Sequence, residues 1–152
     1  MARPTKPRSI RRFPASTTYK PVDQGTRESA VEIGYDEFEA MRLTDVERMS
    51  QEEVAQMMDI SRQSIQLMLQ TAREKLTRAL FEGKTILIGG GHIEVYHCPY
   101  VCLDCHQTFS IPATDSTRDC PACGSSHTKC NSDAFCSLHC QIEPNLSQEK
   151  PD

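Results

Sequence analysis

No stretch of this sequence approaches the roughly 20 consecutive apolar residues that a membrane-crossing helix needs, so no membrane role is expected. Its basic opening, MARPTKPRSIRRF, lacks an apolar core and does not read as a signal peptide. Catalytic groupings are also missing. No nucleophile can be placed beside a base, and Glu37 with Glu39 has no oxyanion donor near it, so the chain is not read as an enzyme and no small-molecule substrate is identified. Gly89-Gly90-Gly91 lacks the strand–glycine–helix order and the following Lys-Ser/Thr of a phosphate loop, and reads as a linker. Charged residues make up 25% and hydrophobic ones 38% of 152 positions. That composition predicts a soluble cytoplasmic chain with room for one ordinary domain or two small ones.

Cysteine, in contrast, is plentiful: there are 8. In a cytoplasmic chain such a number suggests metal ligation rather than disulfides. Cys102-x2-Cys105 and Cys120-x2-Cys123 are separated by fourteen residues, a paired-knuckle pattern. Each turn offers two thiolates to one side, and together they complete a tetrahedral four-sulfur zinc site. Thr108-Phe109-Ser110-Ile111 alternates as a strand should, and Gly124 stands after the second knuckle, where positive φ is wanted. Residues 96–140 are too few to depend on an apolar core alone, so metal would supply much of the folding free energy. Four cysteine ligands leave no open position for a catalytic water, which makes the zinc structural. Cys98, Cys130, Cys136 and Cys140, with His97, His127 and His139 nearby, are candidates for a second metal site. Free thiols are the alternative, and a metal- or redox-responsive role would depend on these residues. The polar stretch 141–152 reads as a disordered tail.

Ser50–Glu82 reads as two helices joined by a tight turn. Ser50 and Glu53 form a capping box, followed by Val54, Ala55 and Met58 at helical spacing. Asp59 and Ile60 interrupt, and Ser61 caps a longer helix with Ile65, Met68, Leu69, Ala72, Leu76, Ala79 and Leu80 on its apolar face. A short helix, a turn and a longer helix opening Ser-Arg-Gln-Ser is a helix-turn-helix arrangement. The opening turn of such a recognition helix meets base edges in the major groove. Arg62 can bind guanine, Gln63 and Gln66 can read adenine, and Ser61 or Ser64 can take a base or a phosphate. Gln70 and Arg73 extend the polar face. Upstream, Gly34–Leu43 begins another helix with acidic residues in its first turn, and Phe38, Met41 and Val46 are its expected core contacts.

The net charge of −4 conceals an uneven distribution. Residues 1–34 sum to +4, whereas 35–97 and 98–152 sum to −4 each. Residues 1–34 therefore read as a basic extended arm, in which Arg3, Arg8, Arg11 and Arg12 can follow phosphates or enter a minor groove. The helix-turn-helix domain is expected over 35–84, a strand and glycine linker over 85–95, and the cysteine-rich domain over 96–140.

MARP, DEFEAMRL, SQEEVAQMM-x-ISR and the AREK…AL-x-EGK…I-x-GG run resemble one bacterial and archaeal family of small uncharacterised proteins, a domain of unknown function described as DNA-binding. The resemblance covers residues 1–91. It implies a helix-turn-helix similar to region four of sigma factors. Family members place a proline-threonine-aromatic run after Ser-Arg, whereas Gln63-Ser64-Ile65 stand here, so no DNA preference transfers. The cysteine-rich part resembles zinc-ribbon domains generally. The expected protein is thus a mainly α, sigma-region-four-like helix-turn-helix bundle followed by a small β-rich zinc ribbon. Its expected role is to bind double-stranded DNA and regulate transcription, as a homodimer or with RNA polymerase. The alternative is a protein-interaction adaptor.

Overall fold

The computed structural model describes residues 4–23 and 29–132, and the chain divides into two compact units between Glu94 and Val95. In the first unit three short strands, β1 (Arg8–Ile10), β2 (Thr18–Tyr19) and β3 (Ala30–Ile33), precede three helices. α1 (Tyr35–Met41) runs on into a π-helical turn over Arg42–Val46, and α2 (Gln51–Met58) and α3 (Arg62–Glu82) form the hairpin. Strands β4 (Thr85–Ile88) and β5 (Ile93–Val95) follow.

Local chemistry explains the hairpin. Ser50 Oγ accepts from the Glu53 N–H at 3.3 Å, and the Ser50 N–H donates to Glu53 Oε2 at 2.7 Å, closing the capping box on α2. Asp59 ends α2 in the left-handed region at φ 58°, and the Ile60 N–H reaches back to Ala55 O. Ser61 Oγ accepts from the Ser64 N–H and opens α3, which Gly83 closes at φ 62°. Between these caps Val54, Met58, Ile65 and Leu69 are buried with Ile10, Ile33 and Leu43.

A mainly α bundle is not what forms. Among the described residues three α-helices and one π-helical turn share the chain with eight strands in three small sheets. β4 is central to one sheet, antiparallel to β2 (Thr18↔Leu87) and parallel to β3 (Ala30↔Thr85); β1 pairs with β5. Strands of two to four residues offer too few alternations for a period-two signal, and their partners lie far along the chain. Two core assignments are also corrected. Val46 is 70% and Leu80 69% exposed, because each lies at the end of its helical segment, beyond the packed layer.

Two contacts lock the first unit. Glu39 is fully buried and accepts from the Arg11 backbone N–H at 3.0 Å and from Arg42 Nε and Nη2 at 2.9 Å each, joining the segment after β1 to α1. The glycine run packs rather than spans: the Gly89 N–H donates to Ile33 O, and Gly90 O accepts from the Tyr35 N–H. Gly91, at φ 87°, lies so close to Asp36 that a Cβ there would stand 2.7 Å from its Oδ1.

In the second unit β6 (His97–Cys102) pairs antiparallel with β7 (Thr108–Pro112) and with β8 (Thr128–Cys130). Cys98, Tyr100 and Ala113 make a small apolar cluster, against which Phe109, Ile111 and Cys130 pack. Such a cluster is slight for a unit of this size.

Candidate functional site

The end of β6 delivers Cys102 to a tight turn, Cys102–Cys105, and a second turn of the same build holds Cys120–Cys123. In the first, the His106 N–H donates to Cys102 O at 3.1 Å and the Cys102 N–H to Gln107 O at 2.9 Å. In the second, the Gly124 N–H donates to Cys120 O at 2.8 Å and the Cys120 N–H to Ser125 O at 2.9 Å. The residue after each second cysteine is left-handed, His106 at φ 60° and Gly124 at φ 72°. The two turns therefore aim two thiols each at a common point.

All four sulfurs lie within 4.8 Å of one another, with Cys102 to Cys123 at 3.7 Å and Cys105 to Cys120 at 3.6 Å. A disulfide would bring sulfurs to about 2.05 Å, so these are free thiols placed where they could hold one metal ion. Cys102 and Cys120 are buried and Cys105 and Cys123 exposed. Among the described residues this is the one group of His, Cys, Asp or Glu side chains so arranged.

The thiols ionise unequally. The Cys105 backbone N–H, aided by that of Asp104, lowers the Cys102 thiol to about 7 against the opposing effect of burial. At Cys123 the Ser125 N–H acts downwards, but the Cys105 sulfur, burial and the remaining thiols outweigh it and push the group up to about 12. Cys105 is likewise raised: burial and the sulfurs of Cys120 and Cys102 overcome the Gln107 N–H. One proton leaves readily; the others leave against the charge already formed.

A polar clasp across the two turns gives no signal in the cysteine spacing. The Ser125 hydroxyl donates to Asp104 Oδ2, His127 Nδ1 lies 3.4 Å from Asp104 Oδ1, and the Leu103 N–H donates to His127 O at 2.8 Å. The Ser125 hydroxyl, then His127, holds the Asp104 carboxyl below its usual range. Of the other cysteines, Cys98 is buried in the apolar cluster and Cys130 Sγ lies 2.9 Å from Ser132 Oγ. Cys136 and Cys140 lie outside the described residues.

The residues expected to meet DNA are spread over several settings. Arg3 lies outside the described residues. Arg11 is only 6% exposed and faces the protein, which withdraws it from any nucleic acid; the pull of Glu39 on its backbone and the burial of Ile10 beside it account for this. Arg8 is half-buried with Nε 3.8 Å from Asp36 Oδ2, whereas Arg12 is exposed. On α3, Gln63, Gln66 and Gln70 are exposed. Arg62 pairs with Glu52 at 2.8 Å and Arg73 with Asp45 at 2.7 Å. Ser61 and Ser64 are engaged at the cap, their hydroxyls 2.8 Å apart. Ser64 lines a cleft with Arg8, Glu37, Met68 and Lys75, about 200° around the helix from Gln66. Lys75 pairs with Glu37, and Arg78 with Glu74. Lys6 pairs with Asp59 at the turn of the hairpin.

The family described as Protein of unknown function DUF134 matches residues 1–96. A UPF0251 protein of Clostridium acetobutylicum is 40% identical over 132 residues, 86% of this chain and 92% of the relative. Another from Clostridium tetani is 41% identical over 145 residues, covering 93% and 97%. A third from Clostridium botulinum strain Hall is 40% identical over 150 residues, covering 97% and 96%. No solved structure matches the chain.

Proposed function

The chain belongs to the family described as Protein of unknown function DUF134, and from that premise we propose a cytoplasmic DNA-binding regulator of transcription. In this reading α2, the turn and α3 act as a helix-turn-helix, and the second unit is a zinc-stabilised ribbon. One observation carries the DNA reading: the first turns of α3 present Gln63, Gln66 and Gln70 to solvent, beside Arg62, on a helix whose N-terminus is capped and open. Glutamine amides read adenine edges and the guanidinium reads guanine. The Arg62–Glu52 and Arg73–Asp45 pairs are exposed. Such surface pairs contribute at most about 1 kcal/mol, so a phosphate or base displaces them at little cost. Lys6 beside the turn, the exposed Arg12, and Arg78 further along α3 supply phosphate contacts.

Zinc is favoured by the sulfur geometry. A tetrahedron with metal–sulfur bonds of about 2.3 Å has edges of about 3.8 Å, close to the 3.6 and 3.7 Å between paired thiols. The four cysteines would hold the ion, and it would supply folding free energy, with no position left for catalysis.

Selection of random duplex DNA by the zinc-loaded chain, at low and physiological salt, tests the proposal. A recovered motif is expected, and Arg62→Ala should reduce discrimination among sequences more than binding to unrelated DNA. Uniform losses on all sequences would refute base reading. One observation favours a second reading, docking on a protein such as RNA polymerase: residues 98–152 sum to −4 and would repel phosphate. Binding to DNA that vanishes at physiological salt without any enriched motif would favour that reading.

A further inference from the structure

The arginines of α3 are held in different ways. Arg73 gives both Nε and Nη2 to Asp45, at 3.4 and 2.7 Å, and Arg78 gives Nη2 to Glu74 at 2.8 Å. Arg62 meets Glu52 at Nε, 2.8 Å from Oε1, and its outer amines Nη1 and Nη2 make no hydrogen bond among the described residues. Nε is the guanidinium nitrogen nearest the chain. The pair therefore holds Arg62 by its inner edge and leaves the outer fork, the part that fits two neighbouring acceptors.

Helix stability does not account for this placement. Arg62 is the first residue of α3, where the macrodipole disfavours a cation, and no acidic residue shares its turn. The compensating charge comes from α2. There Glu53 is engaged by its own helix, closing the capping box with Ser50, while Glu52 reaches across to α3.

We propose, resting on the DNA reading above, that Glu52 is a positioning residue for base recognition: it presents the Nη1–Nη2 fork of Arg62 to O6 and N7 of one guanine. In the free protein the pair is exposed on both sides and weak. A guanine nevertheless has no need to break it, since the fork is already open. A base without two adjacent acceptors leaves Arg62 only a phosphate to turn to. That movement strands the Glu52 carboxylate among phosphates, in an interface from which water is expelled. Glu52 thus penalises every other base at this position more than it penalises guanine. Its charge also repels DNA of any sequence, so its removal should move discrimination and general affinity in opposite directions.

Duplexes selected from random DNA by the full zinc-loaded chain supply the probe, and the position relaxed by Arg62→Ala identifies the base pair. Fluorescence anisotropy then gives affinities of the wild-type chain, Glu52→Gln, Arg62→Ala and the double variant. Each is measured on the selected duplex, on one with that G·C pair changed to A·T, and on unrelated DNA. Glu52→Gln removes the charge and keeps the shape. It should cut the preference for G·C at least about fivefold, while binding unrelated DNA as tightly as the wild type or more so. With Arg62 already replaced, Glu52→Gln should leave the preference unchanged, as expected of two side chains that act as one. If Glu52 only stabilised α2, all affinities would fall in parallel with the unfolding temperature, and that result would overturn the inference. Full preference in Glu52→Gln, or a motif in which Arg62→Ala relaxes no guanine, would overturn it and leave sequence-selective DNA binding standing. No enriched motif from the wild-type chain would overturn the DNA reading and this inference together.

Discussion

His106 and Gly124 occupy the same place in the two cysteine turns, and substitution should affect them in opposite directions. Both are left-handed, a conformation that costs a residue with a Cβ on the order of 1 kcal/mol. A Cβ added at Gly124 would meet nothing within 4 Å, so Gly124→Ala should lower stability by about that amount through the backbone alone. His106→Gly should be neutral or stabilising, as relief of strain is offset by the greater freedom of the unfolded glycine. Denaturant midpoints of the zinc-loaded chain check both. Glu39 gives the larger effect. Glu39→Ala leaves the Arg11 N–H and the Arg42 guanidinium without their buried acceptor, and should cost on the order of 3 kcal/mol. Nothing local in the sequence marks Glu39 out from Glu37. Its neighbour two positions earlier pairs with Lys75 at the edge of a cleft, while Glu39 turns inward because its helix face is the buried one.

Among the elements, the three-stranded sheet of the second unit is where metal and proton binding meet. Removal of metal by a strong chelator should abolish the structure of β6, β7 and β8 while leaving the helical dichroism of α1, α2 and α3, since the latter have their own buried core. Survival of the sheet signal in chelator would refute a structural metal. The thiols set the pH dependence. Metal binds the thiolate, so protons on sulfur compete with it. Above pH 7 Cys102 is already ionised, whereas Cys123, at about 12, must still give up its proton to the ion. As pH falls through about 7 the Cys102 proton must also be displaced. Affinity should therefore decline with falling pH, and protons released per metal should rise. Calorimetric titrations in buffers of different ionisation enthalpy measure that number. The hairpin element is equally local in origin. A capping box on α2, a serine cap on α3, and steps of three and four residues make both helices visible in sequence, because each such signal lies within one turn of the group it satisfies. β1, β2 and β3 give no comparable sign: two to four residues each, they are strands only because β4 and β5 lie beside them.

For the whole molecule, charge has to be counted on surfaces rather than along the chain. The stretch 1–34 sums to +4, yet Arg11 is buried and Arg8 stands beside Asp36. The electrostatic part of DNA binding should accordingly be modest. We expect log affinity to fall with log salt at a slope of roughly −3 to −4, as for about four phosphates, and a slope near −8 would mean that the buried and paired arginines had been released. Gln66→Ala should leave that slope unchanged while relaxing preference at one base pair by about 1–3 kcal/mol.

The sequence by itself determined the features whose partners are near in the chain: the two capped helices, the turn between them, and the paired cysteine turns with a left-handed glycine after the second. Only tertiary structure decided that three sheets share the chain with the helices, that Glu39 and Arg11 go inside, that Gly91 must be bare against Asp36, and that Leu80 and Phe81 stay outside. The physical reason is distance. A cap or a knuckle is satisfied within a few residues and leaves its spacing in the sequence, while burial and strand pairing depend on what arrives from tens of residues away, and one apolar side chain looks the same whether a neighbour covers it or not.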